Sequence, residues 1–156
     1  MTQLDRIEDT SAALTLDVDF LLGLREDPEP EQAVFRIGDL AKEFGVTLRT
    51  LRFYEDRGLL KPERRGTTRL YSRADRARLR LILLAKTLGF SLTEAKQLIE
   101  VYHQPNGKRI ALDVALERFE EQQQVLRDQQ AEIEASLQAM EVTVDHIRRR
   151  MAEADA

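Results

Sequence analysis

The sequence has no cysteine and no tryptophan, and only 7 glycines and 4 prolines among its 156 residues. Without cysteine the chain forms no disulfides, no thiolate metal site and no cysteine-held iron–sulfur cluster. The scarcity of turn-forming residues favours helices over strands. No apolar run approaches the ~20 residues of a membrane span, and the N-terminus lacks the pattern of a signal peptide. These absences predict a mainly helical, cytoplasmic protein with no membrane contact.

Motifs of catalysis and metal binding are also absent. The sequence shows no paired carboxylates, no Ser/His/Asp set and no glycine-rich phosphate loop, so we expect no enzymatic activity. The two histidines, His103 and His146, are not spaced as a metal site, and each is predicted to be an exposed or loop residue. We expect neither a metal nor a cofactor.

Charge is distributed unevenly along a chain whose formal net charge is −4. Residues 1–35 carry 2 basic and 9 acidic side chains, residues 36–80 carry 13 and 6, and residues 81–156 carry 9 and 13. The basic residues are densest in GVTLRTLRFYEDRGLLKPERRGTTRLYS, residues 45–72, where six arginines and one lysine lie among leucines and aromatic residues. The net charge argues against a nucleic-acid ligand, but this local excess argues for one.

The acidic residues 1–34 form an N-terminal extension. Near its end, REDPEPEQ cannot continue a helix or a strand. We predict a flexible segment, in which LTLDVDFLLGL is a candidate short amphipathic element. A docking or autoinhibitory role is the alternative.

Residues 35–102 show the pattern of a helix-turn-helix domain. Gly45 allows the chain to turn, and Thr47 is predicted to cap a second helix that runs to about Arg57. RRGTTRLY predicts a small hairpin about Gly66. One face of the first helix is formed by Ile37, Leu40, Ala41 and Phe44. Capping boxes are formed by Ser72 with Asp75 and by Ser91 with Glu94, and the last helix places Ala95, Leu98, Ile99 and Tyr102 on one face.

The second helix of such a motif enters the DNA major groove. Arg49 and Arg52 share one face of it, and arginine pairs bidentately with guanine or with phosphate. Leu48 and Leu51 are expected to point toward the core. Hairpin arginines and tyrosine hydroxyls are expected to contact the DNA backbone. The predicted DNA-binding residues are Thr47, Arg49, Thr50, Arg52, Tyr54, Arg64, Arg65, Arg69 and Tyr71. The alternative is a basic face packed against the acidic extension.

Residues 103–110 are predicted to be a linker loop because they contain proline and Asn-Gly. Beyond the loop, residues 111–152 contain no glycine or proline, and apolar residues alternate at spacings of four and three. This 3.5-residue period is typical of a coiled coil. The predicted dimerisation residues are Leu112, Leu116, Phe119, Leu126, Ile133, Leu137, Met140, Val144 and Ile147. Gln123 and Gln130 interrupt the stripe at equivalent positions and are hypothesised to fix its register.

The whole of residues 35–102, FRIGDLAKEFGVTLRTLRFYEDRGLLKPERRGTTRLYSRADRARLRLILLAKTLGFSLTEAKQLIEVY, resembles the DNA-binding domain of MerR-type transcriptional regulators. The matching motifs are TLRFYE at residues 50–55, GLL at 58–60, Pro62, Arg64, Arg69, Tyr71 and LGFSL at 88–92. The resemblance implies a mainly α fold: a winged helix-turn-helix domain with a β-hairpin wing, then a long helix that pairs antiparallel with its partner's in a homodimer.

The resemblance also implies a function. Such a homodimer would bind a palindromic promoter site, distort the double-stranded DNA and thereby act on RNA polymerase. Motif position makes Arg52, Tyr54 and Arg69 DNA contacts. The compact wing resembles the branch that controls branched-chain amino acid and acyl-CoA catabolism. A protein-interaction adaptor that acts through the coiled coil, and an architectural DNA-binding protein, remain alternatives.

The family's sensing branches carry cysteines at the end of the dimer helix or an appended C-terminal domain, and this sequence shows neither. We therefore expect either constitutive control or an anionic ligand near Tyr102, Phe119 and the 103–110 loop. Lys108 and Arg109 are candidates to receive its charge, the alternative being two solvated loop residues.

Overall fold

The computed structural model describes residues 15–28, 30–106 and 109–156. In chain order its elements are α1 (Val18–Leu21), β1 (Val34–Arg36), α2 (Ile37–Phe44), α3 (Leu48–Asp56), β2 (Glu63–Arg65), β3 (Thr68–Ser72), α4 (Arg73–Thr87), α5 (Leu92–Tyr102) and α6 (Leu112–Ala154). The chain divides into two compact units, of which the first ends at Ala111 and the second begins at Leu112. We call them the head and the long helix. The mainly helical fold with a small sheet confirms the predicted fold class.

The helices of the head begin and end at the residues that the sequence analysis assigned. Gly45 ends α2 in the left-handed conformation, with φ of 66°. Thr47 caps α3 by accepting a hydrogen bond from the backbone N–H of Thr50 at 3.1 Å. Both predicted capping boxes are present: Ser72 with Asp75 at α4, and Ser91 with Glu94 at α5. These short-range hydrogen bonds satisfy N–H groups that have no partner within the helix.

The hairpin belongs to a three-stranded antiparallel sheet in the order β1-β3-β2. Arg64 lies opposite Arg69 in the hairpin, and Gly66 supplies the turn with φ of 64°. Strand β1 was not predicted. It pairs with β3 so that Phe35 lies opposite Tyr71, and both side chains are buried. A three-residue strand is too short to show an alternating pattern in the sequence.

A single apolar core fills the head. Helix α4 packs on α5 and on α1 and the strands β1 and β3. The largest fully buried side chains are Tyr71, Phe44, Leu40, Leu51, Leu60, Leu79, Ile82 and Leu84. The predicted inner face of α5, formed by Ala95, Leu98, Ile99 and Tyr102, is confirmed. The expectation for Leu48 is wrong: it is 40% exposed, because the first residue of α3 projects beyond the end of the buried stripe that Leu51 continues.

The prediction of flexibility is wrong for residues 15–28, whereas the candidate amphipathic element in LTLDVDFLLGL is present as α1. Asp17 caps the short helix α1, and Phe20 and Leu21 are buried. The ring of Phe20 lies edge-on to His103 and beneath the guanidinium of Arg80. This burial, together with ion pairs to α4, offsets the entropy lost on ordering the segment. Residues 1–14 and Glu29, which were included in that prediction, lie outside the described residues.

The expectation of an exposed or loop residue is confirmed for His103, which lies in the loop directly after α5. Its ring is half-buried, and Nε2 lies 3.0 Å from the carbonyl oxygen of Leu21. Burial lowers the pKa of His103 below its ordinary value, while hydrogen bonds to the backbone of Leu21 and Phe20 act in the opposite direction. His103 therefore anchors the extension to the end of α5.

Candidate nucleic-acid interface

The outer face of α3 carries the arginines that the sequence analysis assigned to DNA. Arg49 and Arg52 are three residues apart and exposed, and neither forms an ion pair with any residue in the described ranges. Leu48 and Phe53 are exposed beside them. The guanidinium of Arg57 stacks 5.1 Å above the ring of Phe53. The face therefore combines free positive charge with apolar contact surface, which is the combination that base edges and thymine methyl groups accept.

The two threonines at the start of α3 are engaged with each other. The hydroxyl oxygens of Thr47 and Thr50 lie 2.9 Å apart, and Thr47 also accepts from the backbone N–H of Thr50. Their first role is therefore to cap the helix that presents Arg49 and Arg52. Their contact with DNA stays a prediction.

Glu55 connects the wing to α3. Its two carboxylate oxygens accept hydrogen bonds from Arg64 Nη2 and from Arg69 Nε, each at 2.6 Å. Burial tends to raise the pKa of Glu55, but the hydrogen bonds and charges of Arg64 and Arg69 outweigh it and hold that pKa below its ordinary value. Glu55 lies within the TLRFYE motif, but no role was predicted for it. The available signal was a carboxylate one turn from Arg52 within a basic segment.

The wing arginines consequently differ in what they offer a ligand. The side chain of Arg69 is 23% exposed and that of Arg64 is 58% exposed, and both are held by Glu55. Arg65 is more exposed, and its contact with Glu63 is long at 3.9 Å. An exposed pair of this length contributes little to stability. Of the three wing arginines, Arg65 is therefore the one whose guanidinium is least engaged by a carboxylate of the protein itself.

The two tyrosines do not fit their predicted role. Tyr54 is 2% exposed and Tyr71 is 0% exposed, and burial raises the pKa of both phenols. Within the described part of the chain, the hydroxyl of Tyr71 has no hydrogen-bond partner. The prediction that these hydroxyls donate to phosphate is wrong for this structure, because the rings fill the core beneath α3 and the sheet. The sequence of a short motif does not indicate whether the hydroxyl of a tyrosine in it is buried or faces solvent.

The acidic extension does not neutralise the α3 arginines. Asp17 is ion-paired with Arg25 and Arg80, and Asp27 with Arg76 and Arg80. The cationic partners within the domain are thus on α4, and the alternative of a basic α3 face covered by the extension is not supported among the described residues. Arg76 is also paired with Glu43 of α2.

The long helix presents its apolar stripe to solvent. Six of the predicted dimerisation residues are between 52% and 62% exposed, namely Leu112, Leu116, Ile133, Leu137, Met140 and Ile147. Leu126 is 40% exposed, and Phe119 and Val144 are half-buried. An apolar stripe of this size on one helix is characteristic of an interaction surface. Within the described ranges, no helix has the length and apolar character to cross a membrane, and no cluster of acidic and histidine side chains is arranged to hold a metal ion.

Comparison with known proteins shows the family. Residues 35–101 match the model of the MerR HTH family regulatory protein, and residues 76–149 match the model named MerR, DNA binding. The CueR regulator of Salmonella typhimurium is 34% identical over 102 residues, which cover 60% of this chain and 74% of CueR. The chain belongs to the MerR family of DNA-binding transcriptional regulators. Its relatives are regulators and not enzymes.

Other similarities of this MerR-family chain are shorter or structural. HmrR of Rhizobium leguminosarum bv. viciae is 40% identical over 67 residues, so that the match covers 42% of this chain and about half, 52%, of HmrR. A MerR-family regulator from Bacillus cereus has a TM-score of 0.59 at 34% identity, covering 69% of this chain and 78% of that one. The N-terminal part of MtaN, the Bacillus subtilis multidrug transporter activator, has a TM-score of 0.51 at 30% identity, covering 70% and 97%. The narrower resemblance to the branch that controls branched-chain catabolism stays a prediction.

Proposed function

We propose that this chain is a sequence-specific transcriptional regulator that binds a palindromic promoter site as a homodimer, distorts the promoter DNA and acts there on RNA polymerase. One observation carries the proposal. Arg49 and Arg52 stand exposed and without ion pairs among the described residues, on a capped helix to which Glu55 fixes the wing. A helix and a wing held in one geometry can engage a major groove and its adjacent backbone together.

The arginines divide into two roles. Arg49 and Arg52, near the N-terminal end of α3, are placed to pair with base edges, since residues at that end of a recognition helix reach the groove floor. Arg64 and Arg65, on the short strand β2, are placed to contact phosphates. Base contacts supply sequence preference and phosphate contacts supply salt-dependent affinity.

The long helix supports the homodimer. Its 43 residues extend about 65 Å at roughly 1.5 Å per residue. That length is enough for an antiparallel pair to separate two heads by the ~34 Å between successive major-groove half-sites. The exposed apolar stripe supplies the surface that such pairing buries. Sedimentation equilibrium on the full chain tests this step, and a monomer at micromolar concentration would contradict it.

DNA titrations against the region upstream of the protein's own gene test the proposal as a whole. Arg49→Ala or Arg52→Ala should cost about 1–3 kcal/mol of binding free energy and relax preference at one base position. Arg65→Ala should weaken binding to every sequence and reduce the salt slope by about one. Arg149→Ala, on the exposed surface of the long helix, is the matched control. If every variant binds as wild type does, the assignment of this face is wrong.

In vitro transcription on the same promoter separates regulation from architectural binding. We expect the wild-type protein to change the amount of transcript, and Arg52→Ala to lose that change. DNA binding without any effect on transcription would favour the architectural alternative.

A further inference from the structure

The head contains an open cavity of about 670 Å³ that the proposed DNA contact does not use. The extension forms one wall with Phe20 and Gly23, helix α4 another with Ala77 and Leu81, and Tyr102 at the end of α5 contributes to the rest. The volume lies within the range of small-molecule sites, which spans roughly 300–1,000 Å³. All of these residues belong to the head.

The wall formed by the extension is held tightly in place. Gly23 has φ of +72°, and a Cβ atom built there would lie 2.2 Å from the carbonyl oxygen of Tyr102. Next to it, His103 contacts the carbonyl oxygen of Leu21. Only glycine fits this close approach, so the wall is a built feature and the cavity has a defined shape.

Two of the cavity's arginines have no carboxylate partner in the part of the chain that the structure describes. Arg78 donates from Nε to the carbonyl oxygen of Leu59 at 2.6 Å, which leaves both Nη groups for another acceptor. Arg109 also lines the cavity and is exposed. A guanidinium held by a neutral carbonyl keeps its full charge for a bound anion.

The carboxylates around the cavity are mostly occupied. Asp27 is ion-paired with Arg76 and Arg80. Asp75 accepts the capping hydrogen bonds of Ser72. Glu26 also lines the cavity and is exposed. A bound molecule thus meets apolar walls, two carboxylates already engaged within the protein, the exposed carboxylate of Glu26, and guanidinium groups with donors to spare.

We propose that this cavity binds a small organic anion with an apolar body, its carboxylate, sulfonate or phosphate group taken by Arg78 and Arg109. Binding at this site does not depend on DNA. Its consequence for DNA rests on the proposed function: Leu59 directly follows the turn after α3, so that an anion on Arg78 acts on the side chain that holds the end of the recognition helix. The site therefore serves as an effector site.

Calorimetric titration of the full chain, without DNA, tests the site. Octanoate, octanamide and octylammonium share one apolar body and differ only in the charge of the head group. We expect octanoate to bind with a submillimolar Kd, at least about tenfold tighter than either of the others. Equal binding of octylammonium, or no saturable binding of octanoate, would overturn the proposal.

Variants locate the binding. Arg78→Gln should weaken octanoate at least about tenfold by removing a charge-assisted donor pair. Ala74→Leu should do the same by filling the cavity, because Ala74 lines it and is exposed. Arg149→Gln, outside the head, is the control and should bind octanoate as wild type does. If circular dichroism shows that Arg78→Gln is unfolded, Ala74→Leu decides. Unchanged octanoate binding in a folded cavity variant refutes the site.

A second experiment distinguishes failure of the proposed anion site from failure of the proposed DNA-binding function. Octanoate is added to the protein–DNA complex, and the DNA affinity is measured with wild type and with Ala74→Leu. We expect a severalfold change with wild type and none with the variant. If octanoate binds the protein but the protein binds no DNA, the proposed function fails and the site stands. If DNA is bound but octanoate is not, the site fails and the proposed function stands.

Discussion

The head and the long helix differ in the burial of their apolar side chains. In the head, Leu84 and Ile82 are 0% exposed, whereas Leu137 and Met140 of the long helix are 59% and 60% exposed. Helices in proteins gain most of their stability from packing an apolar face. The head supplies that packing from within its own chain. The long helix carries an apolar stripe, interrupted by Gln123 and Gln130, that remains exposed in the single chain.

Charged residues show the same contrast. In the head, several ion pairs join different elements and are partly shielded, as in Arg69 with Glu55, whose side chains are 23% and 14% exposed. In the long helix, Arg150 and Glu153 lie one turn apart at 3.6 Å and remain about 70% exposed. Pairs of the first kind fix the geometry of the wing and of the extension. Pairs of the second kind keep a helix hydrated and contribute little to stability.

The largest expected effect comes from shortening an apolar side chain in each region. Leu84→Ala should lower the free energy of unfolding of the head by about 2–5 kcal/mol, because it opens a cavity in a close-packed core. Leu137→Ala should leave the head's urea midpoint unchanged and instead raise the dissociation constant of the proposed homodimer. Urea unfolding followed at the head, and sedimentation equilibrium, measure the two effects. Equal loss of head stability in both variants would remove the distinction between the regions.

What the sequence predicted correctly is what short-range contacts decide. The cap at Thr47, the left-handed Gly45 and the box of Ser72 with Asp75 involve residues at most four apart. Hydrogen bonds of this kind form whenever the local chain is helical, so residue type and spacing are sufficient to predict them. The hairpin about Gly66 follows from the same kind of local signal.

What the sequence did not reveal depends on contacts between distant segments. Arg69 reaches Glu55 across 14 positions, and Arg80 reaches Asp27 across 53. The burial of Tyr71 likewise follows from its pairing with Phe35 in a strand of three residues. The presence of a charged or aromatic residue in the sequence does not identify the distant residue that it contacts. The acidic composition of the extension therefore predicted flexibility, whereas the fold of the head supplies the cations that bind it.

The second prediction concerns the ion pairs. Glu55→Gln should remove the charge that holds two wing arginines and make the amide hydrogens of β2 and β3 exchange severalfold faster. Glu153→Gln, the matched change in the long helix, should alter exchange nowhere in the head. Hydrogen exchange by mass spectrometry measures both. Identical wing exchange in wild type and Glu55→Gln would show that the carboxylate does not hold the wing.

Acid should reproduce the effect of Glu55→Gln. Because the pKa of Glu55 is held below its ordinary 4.5 in the folded head, the unfolded state binds a proton first as the pH falls. The stabilisation is therefore complete above about pH 4.5 and is lost as the pH falls through the depressed folded value. Wing exchange, corrected for its intrinsic pH dependence, should rise over that interval in wild type and stay level in Glu55→Gln.

The smallest expected effect uses the two histidines, one in each region. Burial lowers the pKa of His103 below 6.5, and hydrogen bonds to the backbone of Leu21 and Phe20 reduce that shift only in part. The unfolded chain therefore takes up a proton at His103 before the folded head does, and stability falls as the pH drops from above 6.5 toward the folded pKa. Above pH 6.5 the contribution is complete.

His103→Gln should accordingly flatten the pH dependence of the urea midpoint between about pH 8 and pH 5.5, a range above the titration of ordinary carboxylates. His146→Gln, an exposed change in the long helix, should keep the wild-type slope. The effect should be small because a single half-buried imidazole contributes it. Since His103 anchors the extension, limited proteolysis within residues 15–28 should also quicken as the pH falls in wild type. A slope that survives unchanged in His103→Gln would contradict the role assigned to His103.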